Sequence, residues 1–173
     1  MCGDLWIFTE NQQPEVKPHD RTSDHEAFSM LQFLSMEETI FSKIIRREIP
    51  AMIVYEDEYT MAFLDACPVN PGHTLVVPKK YFKNLYDIDD ETLSHVARTV
   101  QKVAIAVKHA MQADGINIHQ NNDPVAGQVI FHTHTHVIPR FKDDGIIHWH
   151  GKGEYHQGEK AIEIGNKIKS TIV

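Results

Sequence analysis

The sequence predicts an α+β fold: five short strands packed against one long helix, with a second helix at the C-terminal end. Three observations carry this. Residues 93–111 repeat apolar side chains at three- and four-residue spacing, which marks a helix with one apolar stripe. Short runs rich in β-branched or aromatic residues, bounded by Gly, Pro, Asn or Asp, recur at 53–56, 60–65, 73–77, 116–119 and 130–138. Strands and helices do not alternate regularly, so a sheet laid on a helix is expected rather than a parallel α/β sheet.

Residues 1–35 mix polar residues with Pro14, Pro18 and isolated apolar pairs, without sustained periodicity. They read as an N-terminal extension, poorly ordered and without function, apart from a short helix that 27–34 can form. Met36 opens a more orderly stretch and begins the domain proper, 36–173; it is also a candidate for the physiological start. Ile40, Phe41, Ile44 and Ile45 are helically spaced, and Pro50 is expected to end that helix. The first two strands form a hairpin around the acidic turn Glu56-Asp57-Glu58-Tyr59, and a loop at 68–72 leads to a third strand closed by Pro78. Asp89 or Asp90 caps the long helix, Glu91 suits its dipole, and Gly115 is its expected stop. A loop at 121–128 separates the last two strands. A polar, Gly-rich stretch covers 142–158, and a final helix covers 159–170.

At 173 residues the chain suits one domain with a full core. The net charge of −7 argues against general nucleic-acid binding, which wants a basic face, but leaves a small phosphate-bearing ligand open. Cys2 and Cys67 stand in no metal-ligand spacing and are expected as free thiols in a reducing compartment. There is no apolar stretch of transmembrane length and no basic stretch before one near the start. A cytoplasmic protein without a membrane partner is expected.

The run Phe131-His132-Thr133-His134-Thr135-His136-Val137-Ile138-Pro139-Arg140 is the centre of the functional reading. On a strand, alternate residues share a face at roughly 6.6 Å spacing, so His132, His134 and His136 would stand side by side. Three imidazoles in a row cannot all be protonated, which leaves a neutral nucleophile beside a group that could be a cation. That suits chemistry on an anion. Two duller readings compete: zinc ligation, for which no cysteine or acidic partner sits close by, and plain core packing.

The spacing His132-x-His134-x-His136-Val137-Ile138 resembles the signature of the histidine triad (HIT) family, with Thr133 and Thr135 at positions that are usually apolar. Similarity extends to residues 39–50, to Ala62-Phe63-Leu64-Asp65 and to residues 71–80, and so covers about 36–140. The resemblance implies a five-stranded antiparallel sheet with two helices, commonly in a homodimer, and a nucleotide as substrate. By the same resemblance His134 is the nucleophile that attacks the α-phosphorus. His132 and His136 donate hydrogen bonds to phosphoryl oxygens, and His73 is a supporting histidine. Asp65 takes the ribose hydroxyls, Ile40, Phe41, Ile44 and Phe63 form an apolar slot for a purine, and Asn121, Gly127 and Gln128 face the phosphates.

The chain also departs from the family. Many bacterial members carry a Cys-x-x-Cys zinc pair where this chain has Thr39 and Ser42, so no metal or other cofactor is expected, although His95 and His132 remain from a ligand set. Val129 stands where several relatives carry a hydroxyl that helps the leaving group. His148, Trp149, His150 and His156 form a histidine-rich tail unlike the triad, read as a loop able to close over a site. The N-terminal half is closest to the Hint branch, which implies purine nucleoside phosphoramidates as substrates. The loop Pro124-Val125-Ala126-Gly127-Gln128 also resembles the dinucleoside polyphosphate hydrolases. A nucleotide-binding regulator with incidental catalysis, and a zinc-dependent hydrolase, are the readings from other classes.

Overall fold

The computed structural model describes residues 38–146 and 159–172. The expectations for the extension 1–35, for Met36, and for His148, Trp149, His150 and His156 lie outside the described residues. The chain divides into two compact units, one ending at Lys142 and one beginning at Asp143, and each is described by itself.

The first unit opens with helix α1, Ile40–Ile45. Its cap is Thr39, whose hydroxyl accepts the Ser42 N–H at 3.1 Å and so satisfies a donor the helix start would leave unpaired. Pro50 is not what ends it. Arg47 turns into the left-handed region at φ 65°, and the N–H groups of Arg47 and Glu48 close back onto the carbonyls of Ile44 and Lys43. This is the Schellman arrangement, with arginine where glycine is usual.

Strands β1 (Ile53–Glu56) and β2 (Thr60–Leu64) form the expected hairpin. Asp57 ties its turn, accepting the Thr60 N–H at 2.7 Å and the Tyr59 N–H at 3.0 Å on one oxygen. Strand β3, Thr74–Pro78, is buried throughout. The long helix α2, Asp90–Ala110, is capped by Asp89, which accepts the Thr92 N–H at 2.8 Å. That bond, with Lys80 beside it, holds the Asp89 carboxyl at about 2. Gly115 does not stop this helix: Gln112 does, at φ 51°, and Gly115 instead opens strand β4, Gly115–His119. Strand β5 is Thr135–Arg140.

The strands lie in the order β1-β2-β3-β5-β4 with every neighbour antiparallel. Alternation along the strands divides the core in two. On one face Ala62, Val76 and Val137 pack on Val96, Val103 and Val107 of α2. On the other, Met61, Phe63, Leu75 and Val77 pack on Phe41 and Ile44 of α1. Since Val137 points to α2, its neighbour His136 points to the α1 face. Across the ladder from His136 stand Leu75 on β3 and His119 on β4.

The fifth strand starts later than the sequence suggests, and only one histidine of the triad lies on it. The ladder between β3 and β5 runs out at Val76 and Thr135. Pro78, farther along β3, has no N–H with which to extend it. His132 and His134 instead sit in the segment leading into β5, held by the bond from the Thr133 N–H to the Phe82 carbonyl at 2.7 Å. The Gln120 amide adds bonds to the hydroxyls of Thr133 and Thr135 at 3.0 and 3.3 Å.

The second unit contains helix α3, Glu159–Lys169, close to the expected span. Cys67, on the exposed loop between β2 and β3, is disulfide-bonded, which corrects the expectation of a free thiol. Cys2 lies outside the described residues. Among the described residues no helix is long and apolar enough to cross a membrane.

Candidate active site

Hydrogen bonds assign tautomers to His134, His73 and His136 on the α1 face, because a carbonyl can only accept and a main-chain N–H can only donate. The His134 Nδ1 lies 2.7 Å from the His132 carbonyl and therefore carries the proton. Its Nε2 keeps a lone pair. The His73 Nδ1 receives the Val69 N–H at 3.2 Å, so neutral His73 is protonated on Nε2 and donates to the His136 Nδ1 at 2.9 Å. His136 in turn holds its proton on Nε2. An unprotonated ring nitrogen thus stands beside a donor, with the His134 and His136 rings 4.9 Å apart.

Burial pushes His73, His132, His134 and His136 below the ordinary imidazole range, with His136 down to about 4, where the facing His134 and His73 add to the effect. All of these rings are therefore neutral at pH 7. The expected cation beside the nucleophile is not there, since taking an imidazolium out of water costs more than these neighbours return. Phe41 packs edgewise on His134 with ring centres 5.1 Å apart, walling one side of that ring.

Asp65, His73 and His136 place potential metal-ligand atoms within 4.8 Å of one another. Both nitrogens of His73 are already engaged in hydrogen bonds, so a cation would have to break the bond that orients His136. Across the sheet, a cleft of about 440 Å³ between α2 and the β1–β2 hairpin is lined mainly by apolar residues such as Val54, Leu64, Val103 and Met111. It lies on the face away from the triad and offers little polar chemistry.

The family model of the HIT domain matches residues 46–143, more than half of the chain. The chain belongs to the HIT family. It is 46% identical over 138 residues to the protein hit of Bacillus subtilis, which spans 79% of this chain and 95% of that protein. The structure superposes on a histidine triad nucleotide-binding protein from Candida albicans with a TM-score of 0.70 at 31% identity, covering 77% of this chain and 96% of that one. An adenylylsulfatase of Arabidopsis thaliana is 38% identical over 105 residues, 61% of this chain and 53% of that enzyme.

Within this HIT fold the residues singled out in the sequence separate into two groups. His134, His136, His73 and Asp65 come together. Asp65 accepts the Cys67 N–H at 2.8 Å on one oxygen and places the other 3.6 Å from His73. Phe41, Ile44 and Phe63 are buried in the core beneath, at most 7% exposed, while Ile40 is half-buried beside them. Phe41 alone of these is in ring contact with His134.

Two expectations are corrected. His132 is fully buried, and its Nε2 donates to the Pro78 carbonyl at 2.9 Å while its Nδ1 faces the Thr39 hydroxyl, so it has no group left for a phosphoryl oxygen. Gln128 is 3% exposed; its nitrogen donates to the carbonyls of Lys83 and Ile130 and its oxygen accepts the Asp123 N–H. It braces the loop rather than facing a ligand. Asn121 and Gly127 are held together by a bond from the Asn121 amide to the Gly127 carbonyl at 3.3 Å. Gly127 is required by its left-handed φ of 91°, which a side chain would strain.

The family's zinc pair does not fit this chain. The Thr39 and Ser42 hydroxyls are poor substitutes for thiolates. They bond to each other at 3.0 Å, and Thr39 bonds to His132 at 3.2 Å. His95, the other ligand considered, is stacked on Tyr59 at 3.7 Å. The sequence reading also passed over His119, which the β4–β5 register sets opposite His136. Counting the alternation of β4 against β5 would have placed both on one face.

Proposed function

We propose that this protein is a nucleotide hydrolase that passes a nucleoside monophosphate through a covalent bond to His134. The observation that carries this reading is the bond from the His134 Nδ1 to the His132 carbonyl, which leaves Nε2 unprotonated. In the first step the Nε2 lone pair attacks the α-phosphorus, the bond from phosphorus to the leaving amine or phosphate breaks, and a leaving amine takes its proton from solvent. The nucleotidyl ring is then an imidazolium whose remaining N–H stays on the His132 carbonyl. In the second step water attacks phosphorus, the N–P bond breaks, and the water proton passes to solvent, releasing the monophosphate and restoring neutral His134. The His136 Nε2–H, aimed by His73, donates a hydrogen bond to the phosphoryl oxygens as charge builds. Neutral imidazole acts here as a donor, not as an acid.

Asp65 would take the ribose hydroxyls, and Ile40 with the rim of Phe41 would meet the base. No metal enters any step. The nucleotide-binding name of the Candida albicans relative and the adenylylsulfatase activity of the Arabidopsis thaliana one support a nucleotide substrate of this kind. We favour purine nucleoside phosphoramidates, with dinucleoside polyphosphates as the second class because of the loop at 124–128.

Side-by-side turnover of adenosine phosphoramidate and a diadenosine polyphosphate separates the two. The first is expected to give the higher kcat/KM; the reverse order moves the assignment to the second class, and no turnover of either leaves only a binding protein. The edge of β4, which no strand flanks among the described residues and where Ile118 is 46% exposed, is where a second copy would pair. Sedimentation equilibrium is expected to return the mass of two chains, and a single-chain mass would exclude the homodimer.

A further inference from the structure

The histidine that carries no substrate contact is locked from both ends, and the lock has one direction. The Pro78 carbonyl 2.9 Å from the His132 Nε2 can only accept, so the proton is on Nε2. The ring is fully buried and no carboxylate is among its hydrogen-bond partners, so it is neutral and its Nδ1 is an acceptor. The Thr39 hydroxyl, 3.2 Å away, must then spend its only proton on Nδ1. That leaves Thr39 Oγ1 as acceptor for both the Ser42 N–H at 3.1 Å and the Ser42 hydroxyl at 3.0 Å. The chain of donors therefore reads Ser42 to Thr39 to His132, and His132 to Pro78. The main-chain carbonyl of the same His132 is the acceptor of the His134 Nδ1–H.

We infer that Thr39 and Ser42 are positioning residues for the nucleophile: their hydroxyls fix the His132 ring, and with it the carbonyl that orients His134. The need for such a lock follows from the fold. His134 precedes β5 and has no ladder bonds of its own strand to hold it; the peptide that supplies its acceptor is held on one side by the Thr133 N–H on the Phe82 carbonyl and on the other by the side-chain anchor of His132. The anchor comes from the cap of α1, the same helix whose Phe41 packs on His134 and, at 6.0 Å between ring centres, on His132. One short helix thus sets both the wall of the site and the tautomer of the attacking ring. The arrangement needs no metal, because the hydroxyl pair supplies the acceptor-to-donor order that fixes the imidazole.

This rests on the reading of His134 as nucleophile, and the test keeps the two apart. Imidazole ¹⁵N spectra of the wild-type protein are expected to show His134 as the Nδ1–H tautomer and His132 as the Nε2–H tautomer. His134 found as the Nε2–H tautomer would remove the nucleophile itself. Thr39→Val, which keeps shape but not the hydroxyl, is expected to lower kcat on the order of 10- to 100-fold with KM nearly unchanged, since a small misplacement of a reacting group has that effect. Its spectra should show His134 populating both tautomers, and Thr39→Ser should restore most of the rate. Normal kcat and unaltered tautomers in folded Thr39→Val would overturn the inference while leaving the nucleophile in place. Should Thr39→Val fail to fold for want of its cap, Ser42→Ala carries the same comparison, with a several-fold loss of kcat expected and an unchanged kcat overturning the inference. Dialysis of the wild type against a chelator should move neither readout, and lost activity would count against the hydroxyl lock.

Discussion

His134→Ala is expected to lower turnover of a nucleotide substrate by at least about a thousandfold, as removal of a covalent nucleophile does. The substitution also strips the donor from the His132 carbonyl, and a buried acceptor left unpaired costs about 1–3 kcal/mol of stability. A loss of activity through partial unfolding must therefore be separated from loss of the nucleophile. His134→Asn does this, since an amide nitrogen can still donate to that carbonyl but cannot attack phosphorus. Both variants should be equally inactive while Asn melts closer to the wild type. Rapid quenching of the wild type during turnover should yield protein heavier by one nucleoside monophosphate, and neither variant should yield it. Wild-type rates in folded His134→Asn would remove the covalent mechanism outright.

A protein that only binds nucleotides, with catalysis as an accident, predicts otherwise. It would keep its affinity in His134→Asn and show no adduct in the wild type at any time after mixing. The ring geometry speaks against that reading, because binding an anion calls for donors, and the nucleophile here presents a lone pair. His136 presents the donor. A paired lone pair and N–H, both on neutral rings, are suited to an attack followed by stabilisation of the oxygen that gains charge.

Much of this was legible before any coordinates. The span and cap of α2 follow from neighbours in sequence: the Asp89 carboxylate reaches an N–H three residues on, and the valine stripe needs only the helical period. The hairpin around Asp57 is legible for the same reason. The triad itself was legible as a spacing, but not its division of labour. His132 is withdrawn from the substrate by Thr39 and Pro78, which are 93 and 54 residues away. Gln128 is withdrawn by the Lys83 carbonyl, 45 residues away. No local rule foretells which polar side chain will be consumed by a main-chain group brought in by the fold. The helix ends at Arg47 and Gln112 were missed because left-handed residues there are not glycine, so the usual sign was absent.

The acid limb of the pH–rate profile is the second large effect. Attack needs neutral His134, and burial lowers its pKa below the ordinary 6.5 by penalising the charged ring, more than the His132 carbonyl and Asp65 raise it. The rate kcat/KM is therefore expected to be flat from pH 8.5 down through 7, then to fall about tenfold per pH unit below an apparent pKa lying under 6.5. The value belongs to the coupled set of rings rather than to one of them. If His136 instead had to be an imidazolium, its pKa of about 4 would leave only about one molecule in a thousand active at pH 7, and the rate would rise on acidification. The two signs are opposite, so one titration decides between donor and acid. Stability works in the same direction as the first case. The folded-state pKa values of His132, His134 and His136 are depressed, so the unfolded chain takes up protons first as pH falls below about 6.5. Stability is then complete above that pH and is lost progressively toward the folded-state values. Circular dichroism at each pH separates this unfolding from titration of the nucleophile: a rate that falls while the spectrum is still native reports His134. A rate that climbs on acidification while the fold is intact would transfer the acid role to His136.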